Sequence, residues 1–183
     1  MLNALFLVLI GAKIVTWTYI FDPPEVGWAD TKAGIYTQID FLPTTSENHF
    51  FRIIQKSPYN MSINIDNMRM ADTDGHFEKI NIKNIEVIFE NSNTESLFKY
   101  IDVIRTGDFL KWNPNILFNN EIIILKDELF IHFSKIPINE KINKKFKIYI
   151  ELEIFYDTGE VKLYNRTLSF IQKIKYGRWF PTV

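Results

Sequence analysis

The stretch from Lys145 to Phe170, KFKIYIELEIFYDTGEVKLYNRTLSF, decides the fold of this chain. In its first half, apolar residues alternate with polar or charged ones, beginning at Phe146 and ending at Ile154. A period of two places alternate side chains on opposite faces, which only a pleated strand does. Asp157-Thr158-Gly159 interrupts the pattern, and glycine readily takes the positive φ that short hairpin loops need. The stretch therefore predicts a long antiparallel hairpin with one buried face.

The second half of this stretch alternates less regularly, which predicts a β-bulge near Asn165. Other short apolar runs, separated by turn residues, occur earlier in the chain, at 35–41, 50–54, 61–65, 80–89, 121–125 and 129–133. Short strands at this spacing are typical of a sandwich or a barrel. The chain is therefore predicted to be mainly β: an immunoglobulin-like β-sandwich of about seven to nine strands, with a small β-barrel as the alternative.

One segment interrupts the β pattern. Leu97, Ile101 and Ile104 recur at helical spacing, and Gly107 stands where a C-terminal cap would. The segment from Thr94 to Arg105 is therefore predicted to form one short α-helix of about three turns.

The composition fits a folded domain and argues against a nucleic-acid partner. The chain has 183 residues, of which 46% are hydrophobic and 15% aromatic, enough for one packed domain. Its 21 basic and 22 acidic residues leave a formal charge of −1, so there is no general attraction for nucleic acid. There are no cysteines, which excludes disulfides, thiolate metal sites and thiol nucleophiles.

The first 22 residues are strongly apolar and suggest a membrane anchor. As a helix, Leu2–Phe21 would span about 30 Å, the thickness of the hydrocarbon core of a bilayer. Trp17, Tyr19 and Phe21 would form an aromatic belt at one boundary. The favoured division of the chain is thus a transmembrane anchor over 1–22, a linker rich in Pro and Gly over 23–34, and a β-sandwich domain over 35–183.

Two alternatives to an anchor stay open. Residues 4–10 and 14–21 could be two strands of a buried hairpin that turns at Gly11-Ala12-Lys13, because the second run is rich in β-branched and aromatic residues. The segment could also be a signal peptide, although it lacks a basic first region and a small-x-small cleavage site.

The anchor hypothesis makes Lys13 a candidate contact with another membrane subunit. This residue lies near the middle of the apolar segment, where an ammonium is easier to keep if a second subunit supplies a carboxylate. In this hypothesis the protein is a single-pass membrane protein whose β-domain lies outside the cytoplasm.

Residue types that carry chemistry are present, but not at the spacing of a known site. The three histidines, His49, His76 and His132, show no close ligand spacing. Asp72-Thr73-Asp74-Gly75 matches the opening of a calcium loop, but Lys83 occupies the twelfth position and cannot bind calcium. A turn is the favoured interpretation, and a weak calcium site is the alternative, with ligands from Asp66, Asp72, Asp74 and Glu78.

No reactive constellation emerges from the other polar residues either. The serines lack a G-x-S-x-G elbow, and no glycine-rich phosphate loop exists. Glu151 and Glu153 share a strand face and are most simply a solvated row. No catalytic residue, metal site or cofactor is predicted.

Aromatic residues in two loops are the candidate binding residues. Phe109 and Trp112 lie in one loop, and Trp179 and Phe180 lie near the C-terminus, with Asn or Arg beside them. Such aromatics could form a sugar platform or a protein contact. The alternative is that they close the ends of the core.

The sequence thus favours a non-enzymatic protein-interaction module over an enzyme. The hypothesis is an accessory subunit of a membrane-associated assembly, with other protein subunits as partners. The second hypothesis is a β-domain that binds a small ligand or a carbohydrate through its aromatic loops.

Overall fold

The protein is mainly β in the computed structural model, which describes residues 14–22, 25–30, 34–49, 52–68, 75–107, 109–111, 121–123 and 127–179. These residues form twelve strands and one short 3₁₀ turn at Phe98–Tyr100. The strands are β1 (Ile14–Asp22), β2 (Glu25–Asp30), β3 (Ile35–His49), β4 (Arg52–Asn67), β5 (Phe77–Phe89), β6 (Thr94–Ser96), β7 (Ile101–Thr106), β8 (Phe109–Lys111), β9 (Glu121–Ile123), β10 (Glu128–Ile136), β11 (Lys145–Tyr156) and β12 (Val161–Trp179).

The predicted hairpin is confirmed as β11 and β12. The two strands pair antiparallel from Lys145 opposite Ile171 to Phe155 opposite Val161, with no shift of register. The predicted bulge near Asn165 is therefore wrong. The alternation looked irregular because Val161 and Leu163 are apolar residues on the solvent face, 51% and 62% exposed, and not because the strand changes phase.

The strands form two facing layers, and hydrogen-bonded strands connect one layer to the other. Neighbouring strands follow the order β6-β5-β11-β12-β1-β4-β10-β7-β8, while β3 pairs with β2 and β4, and β9 pairs with β5. All pairs are antiparallel except β1 with β4. Three strands change partner along their length: β4 pairs first with β1 and then with β10, β5 first with β9 and then with β6, and β12 first with β11 and then with β1. The sandwich-like architecture agrees with the prediction, whereas the immunoglobulin-like topology remains a prediction.

The core lies between the layer of β3, β4 and β10 and the layer of β5, β11 and β12. Its centre is aromatic: the Phe41 ring of β3 lies 5.4 Å from the Phe146 ring of β11 and 5.6 Å from the Phe170 ring of β12, between centroids. Phe21 of β1 joins them, 4.6 Å from Phe146. All four side chains are at most 2% exposed, so these contacts hold the two layers together.

The N-terminal prediction is corrected where the structure describes it. Ile14–Asp22 form β1, so a transmembrane helix over these nine residues is wrong. β1 pairs with β12 along its whole length and with β4 at Val15–Thr18, and the alternative of a strand at 14–21 is confirmed to this extent. Glu25–Asp30, in the segment predicted as a linker, form β2. Lys13 and the residues before it lie outside the described residues.

Within the described ranges, no helix is long and apolar enough to cross a membrane.

The predicted helix at Thr94–Arg105 is also wrong. The segment forms β6, the 3₁₀ turn and β7. Ile101, Val103 and Ile104 are β-branched, and β7 pairs with β10, so sheet hydrogen bonds replace those of a helix. Leu97 and Ile104, two of the residues whose spacing fits a helix, are both buried, although the segment is not helical.

A hydrogen bond between side chains connects β2 to β12. The Trp28 indole N–H donates to the Tyr164 hydroxyl, and the buried Thr37 hydroxyl lies 3.1 Å from the same oxygen. Burial raises the pKa of Tyr164, and hydrogen bonds to Thr37 and Trp28 oppose this shift only in part. The phenol therefore stays neutral and joins both layers.

Removing this hydroxyl should destabilise the fold. We expect Tyr164→Phe to lower the free energy of unfolding by about 1–3 kcal/mol, because it leaves the polar groups of Trp28 and Thr37 without their partner. Urea denaturation followed by circular dichroism measures the change. Tyr149→Phe, which removes a hydroxyl from a part-buried pair with Glu151, is the control and should lose less than about 1 kcal/mol. Equal losses in the two variants would contradict the role of Tyr164.

Candidate binding site

Among the described residues, an extensive polar cluster connects three loops at one end of the sandwich. Asp127 precedes β10, and its Oδ1 accepts hydrogen bonds from the Asn67 side chain at 2.9 Å and from the Phe77 N–H at 2.6 Å. Its Oδ2 lies 2.6 Å from His76 Nδ1. The His76 N–H donates to Asp157 in the turn between β11 and β12, at 2.8 Å. The cluster holds the ends of β4, β5 and β10 together.

The electrostatics of this cluster fit a structural role. Burial alone would raise the pKa of Asp127, but hydrogen bonds from Asn67, Phe77 and His76 outweigh it and lower that pKa. Asp127 also has a φ of 59°, a left-handed conformation that Asp tolerates better than most residues. Every oxygen of its carboxylate is occupied by the fold, so Asp127 is not available to a ligand.

The other histidines are not gathered around this cluster. His132 lies on β10 opposite Ser62, and it points away from the face that buried Ile131 and Phe133 share, as predicted. The backbone of His49 lies at the end of β3, opposite Arg52. A site built from all three histidines therefore has no support from their positions on the strands.

The hypothesised calcium ligands fall partly outside the described residues, since Asp72 and Asp74 are not among them. Asp66 lies on β4 directly opposite Glu128. Burial and the Glu128 charge raise the pKa of Asp66, and a hydrogen bond from Asn64 lowers it in part. Across the parts of the chain that the structure describes, no group of three or more acidic or histidine side chains could hold a metal ion.

The four aromatic residues predicted as a binding site are only partly described. Phe109 begins β8, opposite Thr106, and Trp179 ends β12, opposite Ile14. In the strand order, β1, β4, β10 and β7 separate β12 from β8. Trp112 and Phe180 lie outside the described residues. Binding by these residues stays a prediction.

A stronger candidate is one edge of β12, from Val161 to Phe170, here called the β12 edge. Ile171 pairs with Lys145 of β11 and with Asp22 of β1, so these two strands lie on opposite sides of β12. Within β12, β1 pairs with Ile171–Trp179 and with no earlier residue. Over Val161–Phe170, the side of β12 that faces away from β11 therefore has no strand partner among the described residues.

The register shows which backbone groups point to this edge. The Gln172 N–H donates to the Lys144 carbonyl at 2.8 Å, and the Tyr156 N–H donates to the Glu160 carbonyl at 2.9 Å. Even-numbered residues of β12 thus direct their N–H and C=O groups towards β11, because these directions alternate in an antiparallel pair. The odd-numbered residues direct theirs to the β12 edge; they are Val161, Leu163, Asn165, Thr167 and Ser169.

The outer face beside this edge is exposed and uncharged. The six side chains that point outwards are all solvent-exposed, and none carries a charge: Val161, Leu163, Asn165, Thr167, Ser169 and Ile171. The outer face of neighbouring β11 is different, because it carries Lys145, Lys147, Glu151 and Glu153. β12 thus presents a row of neutral side chains together with unpaired backbone groups.

A groove on the outer surface, at the junction of β5, β11 and β12, is the second candidate. It encloses about 460 Å³ and is open to solvent. Five apolar residues line it: Ile88, Phe89, Phe146, Phe170 and Ile171. Phe146 and Phe170 are core side chains at most 2% exposed, so Ile88 and Ile171, on the same face as Lys145 and Lys147, are the outward apolar side chains. This volume lies within the usual range for small-ligand sites.

The polar lining of the groove is mostly cationic or neutral. Lys145 and Lys147 lie two residues apart on the exposed face of β11, where Ile171 and Ser169 are their partners on β12. Neither ammonium has an ion-pair partner in the described part of the chain. Ser92, Ser169 and Glu90 complete the lining, so the groove has two positive charges and one negative charge.

Sequence reasoning missed both features. The β12 edge is unpaired because β1 pairs with β12 only from Ile171 onwards, and no local sequence pattern predicts where this pairing begins. The groove joins residues that are far apart in the chain. The one available signal is that alternate residues of the second hairpin strand are uncharged and partly apolar, a pattern that also fits a bulge.

Comparisons with known proteins give little further information. No protein-family model and no curated protein sequence matches this chain. Among solved structures, the chain is similar to the full-length major pilin SpaD from Corynebacterium diphtheriae, with a TM-score of 0.33 and 12% sequence identity. The likeness covers 75% of this chain and 46% of the pilin, so the chain spans less than half of the pilin's length. At this similarity the likeness carries no argument about function.

Proposed function

We propose that this protein is a non-enzymatic interaction module that binds an extended segment of another protein along the β12 edge. The observation that carries the proposal is the unpaired side of β12 over Val161–Phe170, next to a row of exposed, uncharged side chains on the outer face of the same strand. An exposed sheet edge accepts an added strand through main-chain hydrogen bonds, and side chains at alternate positions provide selectivity.

The chemistry of the edge supports strand addition. Leu163, Asn165, Thr167 and Ser169 supply successive N–H and C=O groups for a partner's backbone. Val161 and Leu163 add exposed apolar surface on the outer face, which a partner side chain at a neighbouring position can cover.

The charged residues of this strand do not block the edge. Natural edge strands are often protected by lysines or by charges that point inwards. Here Arg166 lies 3.7 Å from Asp30 of β2 and its guanidinium lies over the Trp28 ring, at 6.0 Å. Lys162 pairs with Glu160 at 3.5 Å. Both cations are thus engaged within the protein.

A proline at the β12 edge tests the proposal. The Thr167 N–H points away from β11, so Thr167→Pro removes a donor that the fold does not use, and we expect stability to change by less than about 1 kcal/mol. Random twelve-residue peptides are selected on the wild-type protein and then titrated against both proteins. The selected peptides should bind Thr167→Pro about 10- to 100-fold more weakly, since one hydrogen bond is lost and the added strand is obstructed.

The control for this experiment is Thr167→Val, which keeps the N–H and the β-branched shape. It should bind the same peptides within about threefold of the wild type. Equal affinity of wild type and Thr167→Pro, or failure to select any peptide, would contradict strand addition at this edge.

The wider role as an accessory subunit of a membrane-associated assembly is part of this proposal, but it rests on the apolar residues before β1 alone, because Ile14–Asp22 belong to the sheet. Lys13 is the proposed contact with a membrane partner in that role. The β12 edge supports the protein-binding function without requiring the anchor.

A further inference from the structure

We propose that the partner of the β12 edge is a second copy of this chain, and that the two copies pair β12 to β12, antiparallel, about a two-fold axis at Asn165. This inference rests on the proposed function, because it requires that the edge accepts a strand, and it names that strand. In this arrangement Val161 faces Ser169 of the second copy, Leu163 faces Thr167 of the second copy, and Asn165 faces its own counterpart.

The backbone groups of the edge are complementary to a copy of themselves. The odd-numbered residues from Val161 to Ser169 each direct one N–H and one C=O to the edge. In an antiparallel pair, two facing residues of this kind exchange two hydrogen bonds. Two edges therefore form about ten hydrogen bonds, the number in a typical protein interface. β11 and β12 pair without a shift of register here, so the edge is regular along its whole length.

The side chains of the outer row allow an identical strand to lie beside it. A two-fold axis places each central residue opposite its own counterpart, so a charged residue there would face the same charge and oppose pairing. Asn165, at the axis, is neutral, and its carboxamide has both donor and acceptor groups, so two copies can hydrogen-bond to each other. Leu163 meets the methyl group of Thr167 on both sides of the axis.

The charges near the edge do not oppose the approach of two copies. On the inner side, Arg166 lies 3.7 Å from Asp30 of β2, so each copy brings one cation and one anion. On the outer side, Glu151 of β11 is opposite Asn165. The two copies of Glu151 would be three strand spacings apart, about 14 Å, a distance at which physiological salt screens exposed charges.

The expected complex stops at two copies and has moderate affinity. Two-fold pairing uses the same edge in both copies, so neither retains a free β12 edge for a third. The edge ends at Phe170, because β1 pairs with β12 from Ile171 onwards. An interface made by one short strand edge belongs to the small class, below about 1,200 Å². We therefore expect a Kd for the dimer of about 1–100 μM.

Sedimentation equilibrium of the full chain tests the inference. The wild type should change from monomer to dimer between about 1 and 300 μM. Thr167→Pro should weaken the dimer at least about tenfold, because a two-fold interface contains the substitution twice. The matched control Thr167→Val keeps the N–H and should dimerise within about threefold of the wild type. A dimer that Thr167→Pro leaves unchanged would overturn the inference, because its contact would lie elsewhere.

A cysteine substitution tests the register in a way that does not depend on the proline variant. The chain has no cysteine, so Asn165→Cys introduces a single thiol. Facing residues of this kind have Cα atoms about 5.5 Å apart, within the range of a disulfide. Oxidation should therefore give a covalent dimer. Glu151→Cys is the matched control, in the same row but one strand further in, and it lies too far from its counterpart to cross-link. Equal cross-linking of the two variants would overturn the arrangement.

The outcomes separate this inference from the proposed function. A wild type that stays monomeric up to about 300 μM but binds the selected peptides would overturn the second copy as partner and leave strand addition intact, with a different protein as partner. A monomeric wild type that selects no peptide would overturn both. Peptide selection at nanomolar protein concentration, far below the expected Kd, keeps the edge free of a second copy.

Discussion

Replacing Phe41 by alanine should lower the free energy of unfolding by about 3–5 kcal/mol, the largest single effect expected in this protein. The Phe41 ring is 1% exposed and lies between the two layers. It stacks on Tyr59 with centroids 5.0 Å apart, and it also contacts Phe146 and Phe170 of the facing layer. Truncation removes all of these contacts and leaves a cavity in a close-packed core.

Chemical denaturation at equilibrium measures this loss. The matched control is the next residue of β3, because Leu42 is 52% exposed. We expect Leu42→Ala to change stability by less than about 0.5 kcal/mol. A loss below about 1.5 kcal/mol for Phe41→Ala would mean that Phe41 does not join the layers.

Replacing Asp127 by alanine should have the second largest effect, a loss of about 2–4 kcal/mol. Three hydrogen-bonding partners lose their acceptor: Asn67, the Phe77 N–H and His76. Hydrogen bonds to a charged group contribute about 1.5–3 kcal/mol each, and they do not add fully when they share one carboxylate. Alanine is also less favourable than Asp at a φ of 59°.

The pH dependence of the free energy of unfolding shows how much of the contribution of Asp127 comes from its negative charge and how much from the shape of its side chain. Because its pKa is lower in the folded protein than the ordinary value, Asp127 contributes stability above that ordinary value, and the contribution disappears as the pH falls through the folded pKa. The stability difference between wild type and Asp127→Asn should thus be constant above about pH 5 and shrink below about pH 4. A difference that stays constant down to pH 2 would contradict a charged role.

The main hairpin could be predicted from the sequence because its alternation has a local cause. Phe146 to Ile154 point inwards at every second position, and the structure buries each of them. The same rule failed for the second strand, since Val161 and Leu163 are apolar but exposed. Periodicity shows which positions of a strand are apolar. It does not show whether those positions face the core or the solvent, and an exposed apolar position can be kept for a binding partner.

The two helix predictions failed for different physical reasons. At Thr94–Arg105, helical spacing over so few residues is also compatible with two strands and a turn, and pairing of β7 with β10 decides between them. At Ile14–Asp22, a run rich in apolar, β-branched and aromatic residues is compatible with a membrane helix and with a strand. Strand pairing decides between them, since β12 lies on one side of β1 and β4 on the other.

Neither candidate site could be predicted, because both arise from how strands are placed beside one another. The β12 edge exists only because β1 pairs with Ile171–Trp179 and ends there. In the groove, Ile88 and Ile171 come together only through β11, which lies between their strands. Tertiary placement of this kind leaves no local pattern in the chain.

The exchange of partners along β12 has a mechanical meaning. One uninterrupted backbone holds β11 by its first part and β1 by its second part. A load applied to one half of the molecule is thus carried directly into the other as shear along a single strand, without passing through a hinge. Unfolding of one half is therefore expected to be coupled to the other half through β12.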